Sequence, residues 1–195
     1  EFRFDSNVPV ANILPGLTFA QLDGQRTLER LPQTEIPEQI RNSDPSLQHL
    51  PLIKLNWNDY SIMIGDKSLS IAVRLPYKGW ADFRVVIIKS LKILKESTLI
   101  SKIERYSAKY IDFIDASLIE STHKATSIAV SIGSKNLTEN TFHLRVEMPI
   151  DGFTNVVQIV SSASVKLTDG SSRQGLVIDI DTVKFNNDLL SLEDL

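Results

Sequence analysis

The sequence predicts an α+β fold with a mostly antiparallel sheet in the order β-β-β-α-β, a second strand-rich portion after it, and few helices. Between residues 52 and 75, short runs of alternating apolar and polar residues are separated by turn sequences. Residues 80–95 have apolar residues at helical spacing, and the alternation of apolar and polar residues returns in residues 102–114. The 195 residues are 42% hydrophobic and 23% charged, which is typical of a globular protein and excludes a disordered or collagen-like chain.

The N-terminal part is rich in proline, since seven of the eight prolines lie between positions 9 and 76. Residues 1–5 alternate charged and aromatic side chains, as a strand with one buried face does. Because proline fixes φ, we expect residues 8–28 to be a wrapping segment with turns at Pro15-Gly16 and Asp23-Gly24. Residues 35–40 predict one or two helical turns, with Pro37 at an early position. The chain opens on this alternation rather than on Met, so we expect its N-terminal end to be trimmed.

A strand meander follows, with strands at residues 52–57, 60–64 and 68–75. The strongest helix prediction covers residues 80–95, where five apolar side chains form one stripe. The members of this stripe are Phe83, Val86, Ile87, Leu91 and Leu94. Residues 102–114 return to a period of two and therefore predict a long strand.

The remaining sequence predicts strands at residues 126–132, 141–148, 154–167 and 175–183, with a turn at Asp151-Gly152. A helix is expected to begin near Leu189. We therefore divide the chain into residues 1–115, which hold the wrapping segment and the β-β-β-α-β unit, and residues 116–195, a strand-rich portion packed on it. One continuous domain is the alternative.

Three groups of segments occur together as an ordered set. They are residues 29–32 with 36–38 and 44–45, residues 74–80, and residues 103–111. The set resembles a sporadically distributed family of uncharacterised bacterial and archaeal proteins, in which an LPYxGW turn precedes a helix and an ERxSxxYI strand follows it. This chain departs from the pattern at Ala108-Lys109, where a leucine–arginine pair is more usual. The resemblance implies a fold, and it implies that this chain is trimmed at both ends, since members of the family extend further in both directions. It carries neither a catalytic signature nor site residues.

Both tryptophans and two of the four tyrosines fall between positions 57 and 80. One interpretation is an aromatic ligand cleft at the strand-to-helix junction, with a cation meeting an anionic group. The candidate ligand-binding residues are Trp57, Tyr60, Arg74, Tyr77, Lys78 and Trp80. The other interpretation, which we favour, is a packing seam that holds the helix on the sheet.

Residues 84–109 hold seven basic and two acidic side chains. A phosphate-contacting face would use Lys89, Lys92, Lys95 and Lys102, with tyrosines able to stack on bases. The alternative is the solvated face of an amphipathic helix. The net charge of −3 disfavours nucleic acid as a partner.

Several kinds of chemistry have no support in the sequence. The chain has no cysteine, which excludes disulfides and thiolate nucleophiles and is compatible with a cytoplasmic location. Its three histidines form no zinc-binding motif, and no apolar run approaches the ~20 residues that span a bilayer. Asp179 and Asp181 share a strand face, but we interpret them as its solvated side. We expect no cofactor, no metal and no membrane.

The sequence favours a non-enzymatic protein-binding or regulatory module with a sheet edge that self-associates. A small-ligand sensor or enzyme that uses the aromatic junction near Tyr77 and Trp80 is the alternative. Nucleic-acid binding through the basic helix is a second alternative. The partner expected first is therefore another protein or a second copy of the chain.

Overall fold

A computed structural model describes residues 1–118, 131–136, 140–166 and 170–185. The described residues contain three α-helices and eleven β-strands, which confirms the α+β class with few helices. Their contacts divide the chain into two compact units. One unit holds Glu1–Tyr106 together with Phe185, and the other holds the described residues of Ser107–Lys184. Among the described helices, none combines the length and the apolar character that crossing a bilayer requires.

The first unit is an antiparallel sheet with helices. Its strands are β1 (Phe2–Asp5), β2 (Arg26–Arg30), β3 (Ile53–Trp57), β4 (Tyr60–Ile64), β5 (Ser68–Val73) and the start of β6 (Lys102–Asp115). Its helices are α1 (Val10–Gln21), α2 (Glu38–Ser43) and α3 (Trp80–Glu96). The strand order is β2-β3-β4-β5-β1-β6, with every pair antiparallel. The predicted meander, the long helix and the strand after it are confirmed.

Helix α3 forms where its apolar stripe predicts. Gly79 has a φ of 110°, which lets the chain leave the preceding turn and enter the helix. Val86, Leu91 and Leu94 are buried in the core of the first unit, and Phe83 and Ile87 are partly buried. Burial of this stripe at ~25 cal/mol per Å² of apolar area stabilises the helix by several kcal/mol.

The expectation for residues 8–28 is wrong, because most of the segment is helix α1 rather than a wrapping segment. Pro15-Gly16 is not a turn, since Pro15 lies inside the helix. Proline removes one helical hydrogen bond, but Val10, Leu14 and Thr18 lie at helical spacing and are all buried. Tertiary burial therefore outweighs the local preference. Strand β2, which follows the turn at Gly24, has no counterpart among the predicted elements.

The second unit consists of strands. Two short ones, β7 (Ser131–Ile132) and β8 (Lys135–Asn136), pair with each other. The others are β9 (His143–Ile150), β10 (Phe153–Lys166) and β11 (Ser172–Phe185), and the order in this unit is β6-β11-β10-β9. Three of the predicted strands are thus confirmed. The first of the four ends in β7, but its residues 126–130 lie outside the described residues, as does the helix expected near residue 189.

The register of β9, β10 and β11 gathers aliphatic side chains on one side of the sheet, although Val156 and Val160 lie on the other side. Val146 lies opposite Val157, which lies opposite Ile180; Ile159 joins Leu144 to Ile178 in the same way. We call this side of the second unit the apolar face, defined by Leu144, Val146, Met148, Ile150, Val157, Ile159, Ile178 and Ile180. The opposite side carries polar residues such as Arg145, Gln158 and Asp179.

A two-residue turn at Asp151-Gly152 sets the β9–β10 register. Both residues have positive φ, 51° and 79°, which is the geometry of the hairpin turns whose twist matches that of the strands. Ile150 and Phe153 therefore lie opposite each other at the end of the hairpin. Every pairing along β9 follows from this turn.

Candidate functional site

The predicted aromatic residues come together around Phe83, a member of the helical stripe that the sequence did not assign to a site. The ring of Tyr60 lies parallel to that of Phe83, with an interplanar angle of 3° and centroids 6.3 Å apart. Tyr77 and Trp80 each meet Phe83 edge-on, also at 6.3 Å. Both are partly exposed, Tyr77 at 39% and Trp80 at 49%. These rings form a packed cluster at the strand-to-helix junction.

Trp57 extends the aromatic cluster into the core of the first unit. Its side chain is buried, and its indole N–H donates a 2.7 Å hydrogen bond to the carbonyl oxygen of Asp23. The ammonium of Lys89 lies 5.1 Å from the centroid of the Trp57 ring, within the range of a cation–π interaction. The hydrogen bond and the cation–π contact together fix the position of Trp57.

The two cations that the sequence assigns to an anionic ligand both contact the β3–β4 turn. The Nζ atom of Lys78 lies 2.6 Å from Oδ2 of Asp59. The Arg74 guanidinium donates to the carbonyl oxygen of Asn58. The hydrogen bond from Lys78 lowers the pKa of Asp59, and the same bond raises the pKa of Lys78. Both cationic groups therefore have acceptors within the protein.

The four lysines proposed for phosphate contact do not share one arrangement. Lys89 is engaged with Trp57, and Lys92 lies 3.7 Å from Glu96 in an i,i+4 ion pair. Lys95 is exposed in the last turn of α3, where a cation complements the helix dipole. Lys102 is exposed at the start of β6, a different element. The structure thus places three of them on α3 and one on the sheet.

A groove of about 430 Å³ lies elsewhere in the first unit, beside α1, β2 and β3. Its lining is Ala11, Asn12, Pro15, Gly16, Leu28, Glu29, Arg30, Thr34, Arg41, Leu52 and Ile53. The lining combines aliphatic side chains with the exposed Arg30 and Asn12, so it can accept a small molecule with an apolar body and an anionic group. No sequence pattern assigned these residues to a site, because the groove depends on α1 being a helix.

Strand β9 is the terminal strand of the second unit, and within the described residues it pairs with β10 alone. Alternate residues of an antiparallel strand direct their N–H and C=O groups to opposite neighbours. The carbonyl oxygen of Phe142 accepts a hydrogen bond from the Ser161 N–H of β10. The backbone N–H and C=O groups of the even-numbered residues that follow Phe142 therefore point toward β10. The odd-numbered residues His143, Arg145 and Glu147 therefore present their N–H and C=O groups at the outer edge.

Pro149 occupies the fourth outward position of β9. Proline has no N–H to donate, and strands therefore tolerate it where the N–H would point away from a neighbour. Its placement agrees with the direction deduced from Phe142. No described residue pairs with the outer edge of β9, which presents N–H and C=O groups at His143, Arg145 and Glu147 and only a carbonyl at Pro149.

The other terminal strand, β2, differs from β9 in length and composition. It has five residues, three of them charged, and it lies at the end of the first unit's sheet. Short, charged edges resist pairing with other chains. In contrast, β9 has eight residues and alternates aliphatic side chains with polar ones. The alternation is visible in the sequence, but the position of β9 at an edge is not.

One of the two paired carboxylates of β11 forms an ion pair with a lysine of β6. The Nζ atom of Lys109 lies 2.9 Å from Oδ2 of Asp179, whose side chain is only 16% exposed. Asp179 is therefore neutralised by β6 rather than simply solvated. In the part of the chain that the structure describes, no group of three or more histidine, cysteine, aspartate or glutamate residues is arranged to hold a metal ion.

The motifs of the LPYxGW turn and the ERxSxxYI strand fall at the start of α3 and along β6. Their likeness to a family depends on those residues alone and stays a prediction. Comparison of the chain with protein-family models, with curated proteins and with solved structures finds no match.

Proposed function

We propose that this chain is a non-enzymatic protein-binding module that takes up an extended segment of its partner at the outer edge of β9. The observation that carries the proposal is the outward row of backbone groups at His143, Arg145 and Glu147. A strand added there gains backbone hydrogen bonds along its whole length. A cytoplasmic location, expected from the absence of cysteine, belongs to the same proposal.

The apolar face supports this proposal, because a partner that pairs with β9 needs apolar contacts beside its backbone bonds. Val146 is 38% exposed, Met148 is 39% exposed and Ile150 is 50% exposed. These side chains lie in one row on β9, next to the row of Val157 and Ile159 on β10. An added strand with aliphatic residues at alternate positions would extend this surface by another row.

The rigidity of the edge also favours strand addition. Strand β9 is paired along its length with the 14-residue β10, which in turn pairs with the 14-residue β11. A preformed edge loses little conformational entropy when a partner binds.

The test adds the full chain, at concentrations at which sedimentation shows it to be monomeric, to a fluorescent eight-residue peptide of alternating valine and threonine with lysine at both ends, and follows the anisotropy. We expect saturable binding and slower amide exchange at Arg145 and Glu147. Replacing Glu147→Pro removes an outward N–H without affecting the β10 ladder, so binding should weaken at least roughly ten-fold. Glu147→Gln, which keeps the N–H, should bind like the natural chain.

A second version of the probe keeps the test decisive if the proline variant does not fold. Methylation of every second peptide nitrogen leaves one edge of the peptide unable to donate. That peptide should bind only through its other edge, and methylation of all nitrogens should abolish binding. Equal binding by the unmodified and the fully methylated peptides would overturn the proposal.

A small-ligand function is the second candidate, and the groove beside α1 favours it. The groove offers the exposed Arg30 to an anionic group and aliphatic side chains, among them Leu28, to an apolar body. Benzoate, which has both features, is a suitable probe. We expect it to shift the amide resonances of Asn12 and Gly16 in a saturable way, and Arg30→Gln should remove the shift. Unchanged resonances at millimolar benzoate would reject this candidate.

A further inference from the structure

We infer that the segment bound at β9 is β9 of a second copy of this chain, paired antiparallel about a two-fold axis at Val146. The inference rests on the proposed function and names its partner. It follows from three properties of β9: which residues point outward, where the charges lie, and which side chains line the apolar face.

Pairing between two identical edges allows only a few registers. When two identical strands pair antiparallel about a two-fold axis, residue i of one copy faces residue j of the other. The sum of i and j is then the same for every opposed pair. Backbone hydrogen bonds form only if the outward residues of one copy, His143, Arg145 and Glu147, face outward residues of the other. The central registers therefore place Arg145 opposite Arg145, Glu147 opposite Glu147, or Arg145 opposite Glu147.

Charge selects the third of these registers. Like charges directly opposite each other on neighbouring strands are destabilising, whereas opposite charges are favourable. With Val146 on the axis, Arg145 of each copy faces Glu147 of the other, so symmetry forms the favourable pair twice. Within one chain, Arg145 and Glu147 already form an ion pair along β9 with both side chains 53% exposed. The dimer exchanges that contact for contacts between the copies.

The backbone groups fit the same register. The N–H of Arg145 faces the C=O of Glu147 in the second copy, and the N–H of Glu147 faces the C=O of Arg145. The next outward pair joins His143 to Pro149, where the N–H of His143 meets the proline carbonyl. The missing proline N–H removes a bond only at the outer end of the paired segment, so the central ladder is complete.

The apolar face continues across the axis in this register. Val146 meets Val146 of the second copy, and Leu144 lies opposite Met148. Both sheets then share a row of aliphatic side chains that is partly exposed in the single chain. Because each copy uses the same surface, the assembly closes at two copies and leaves no β9 edge free.

The test measures association of the full chain by sedimentation equilibrium. The natural chain should form dimers. Arg145→Glu places two glutamates opposite each other at both sites, and Glu147→Arg does the same with arginines. Each variant alone should therefore dimerise at least roughly ten-fold more weakly. Mixed together, the two variants restore opposite charges at both sites and should form a heterodimer about as tight as the natural dimer.

Two control variants distinguish a loss of dimer affinity caused by charge pairing across the dimer from one caused by the change in net charge. A spectroscopic measurement excludes loss of folding. The double variant Arg145→Glu with Glu147→Arg should regain the natural affinity, which shows that the single variants fail through pairing. Lys166→Glu, an exposed residue at the end of β10, changes the net charge as Arg145→Glu does and should not weaken the dimer. Circular dichroism of each variant reports whether the sheet is intact.

The outcomes distinguish this inference from the function it rests on. A natural chain that stays monomeric at 0.1 mM, or an Arg145→Glu variant that dimerises normally, would overturn the inference. If such a chain still binds the valine–threonine peptide, strand addition stands and the partner is another protein. If it binds neither, the proposed function fails as well.

Discussion

Arg41 and Asp66 form a largely buried ion pair, with Nη2 of the arginine 3.0 Å from Oδ2 of the aspartate. Their side chains are only 13% and 14% exposed. The same guanidinium donates to the carbonyl oxygen of Ile36. Through this side chain, α2 and the segment before it are attached to the turn between β4 and β5. Without it, the first unit would hold α2 mainly by contacts of an exposed six-residue helix.

Replacing Arg41→Met should destabilise the first unit, because it leaves the Asp66 carboxylate buried without its counter-ion. We expect the free energy of unfolding to fall by about 2–4 kcal/mol, as measured by urea denaturation. The control is Lys54→Met, since Lys54 and Glu29 form a more exposed pair at 3.6 Å. That change should cost less than about 1 kcal/mol. Equal losses for both variants would contradict the role of burial.

A charge on the buried side of α3 should prevent folding, whereas the same charge on its other side should not. Leu91 is 4% exposed and Ile88 is 45% exposed, on the same helix. We expect Leu91→Asp to cost more than about 4 kcal/mol, because it buries an unpaired carboxylate and removes an apolar contact. Ile88→Asp should change the thermal midpoint little. A natural midpoint for Leu91→Asp would refute the assignment of the stripe.

Two glycines should respond to alanine in opposite directions. A Cβ atom at Gly65 would overlap the carbonyl oxygen of Leu50 and lie 2.6 Å from Oγ of Ser68. A Cβ at Gly16, inside α1, would meet nothing within 4 Å. Gly16→Ala should therefore stabilise the chain by up to about 1 kcal/mol, through helix propensity, and Gly65→Ala should destabilise it. Thermal denaturation of both variants tests this contrast.

His49 should make the protein less stable as the pH falls below the ordinary histidine pKa of about 6.5. Its burial, followed by the nearby Arg3 cation, lowers the pKa of His49, and its Nδ1 lies 3.3 Å from the carbonyl oxygen of Lys67. An unfolded histidine has a pKa of about 6.5 and so binds a proton before the folded one does. The contribution of His49 is therefore fully present above that value and is lost as the pH falls toward the lowered pKa.

The measurement is urea denaturation of the natural chain and of His49→Asn at several pH values above and below about 6.5. Asparagine can still donate to Lys67 but does not titrate. We expect the stability of the natural chain to fall more steeply toward pH 5 than that of His49→Asn. Parallel curves would show that His49 contributes nothing to the pH dependence.

Local patterns predicted those parts of the fold whose period and burial agree. The stripe of α3 and the alternation of β3 are examples, because each buries the side that its pattern indicates. In β5, Ser68 and Leu69 are both buried, so alternation there does not distinguish the two sides. Helix α1 was not predictable in this way, because Pro15 and Gly16 are turn residues and only tertiary packing of Leu14 and its neighbours makes them helical. Strand β2 is exposed along most of its length and lacks a clear alternation.

The candidate sites were likewise predictable only where they depend on residues close together in sequence. The sequence assigned Tyr77 and Trp80 to one candidate site because they flank one turn. In the structure both rings contact the ring of Phe83. The sequence could not show that Arg74 and Lys78 contact the β3–β4 turn, since their partners there lie 16 and 19 residues away in sequence. The open edge of β9 depends on strand order, which is a long-range property that no local pattern records.

The turn at Asp151-Gly152 decides more than the path of one hairpin. Side chains alternate between the two sides of a strand, so one additional residue there would shift β9 by a single position against β10. Arg145 and Glu147 would then rotate onto the side of Ile178 and Ile180, and the aliphatic row would rotate away from it. Pro149 would have to supply an N–H that it does not possess. The length of this short loop is therefore as much a determinant of what β9 recognises as the strand's own side chains.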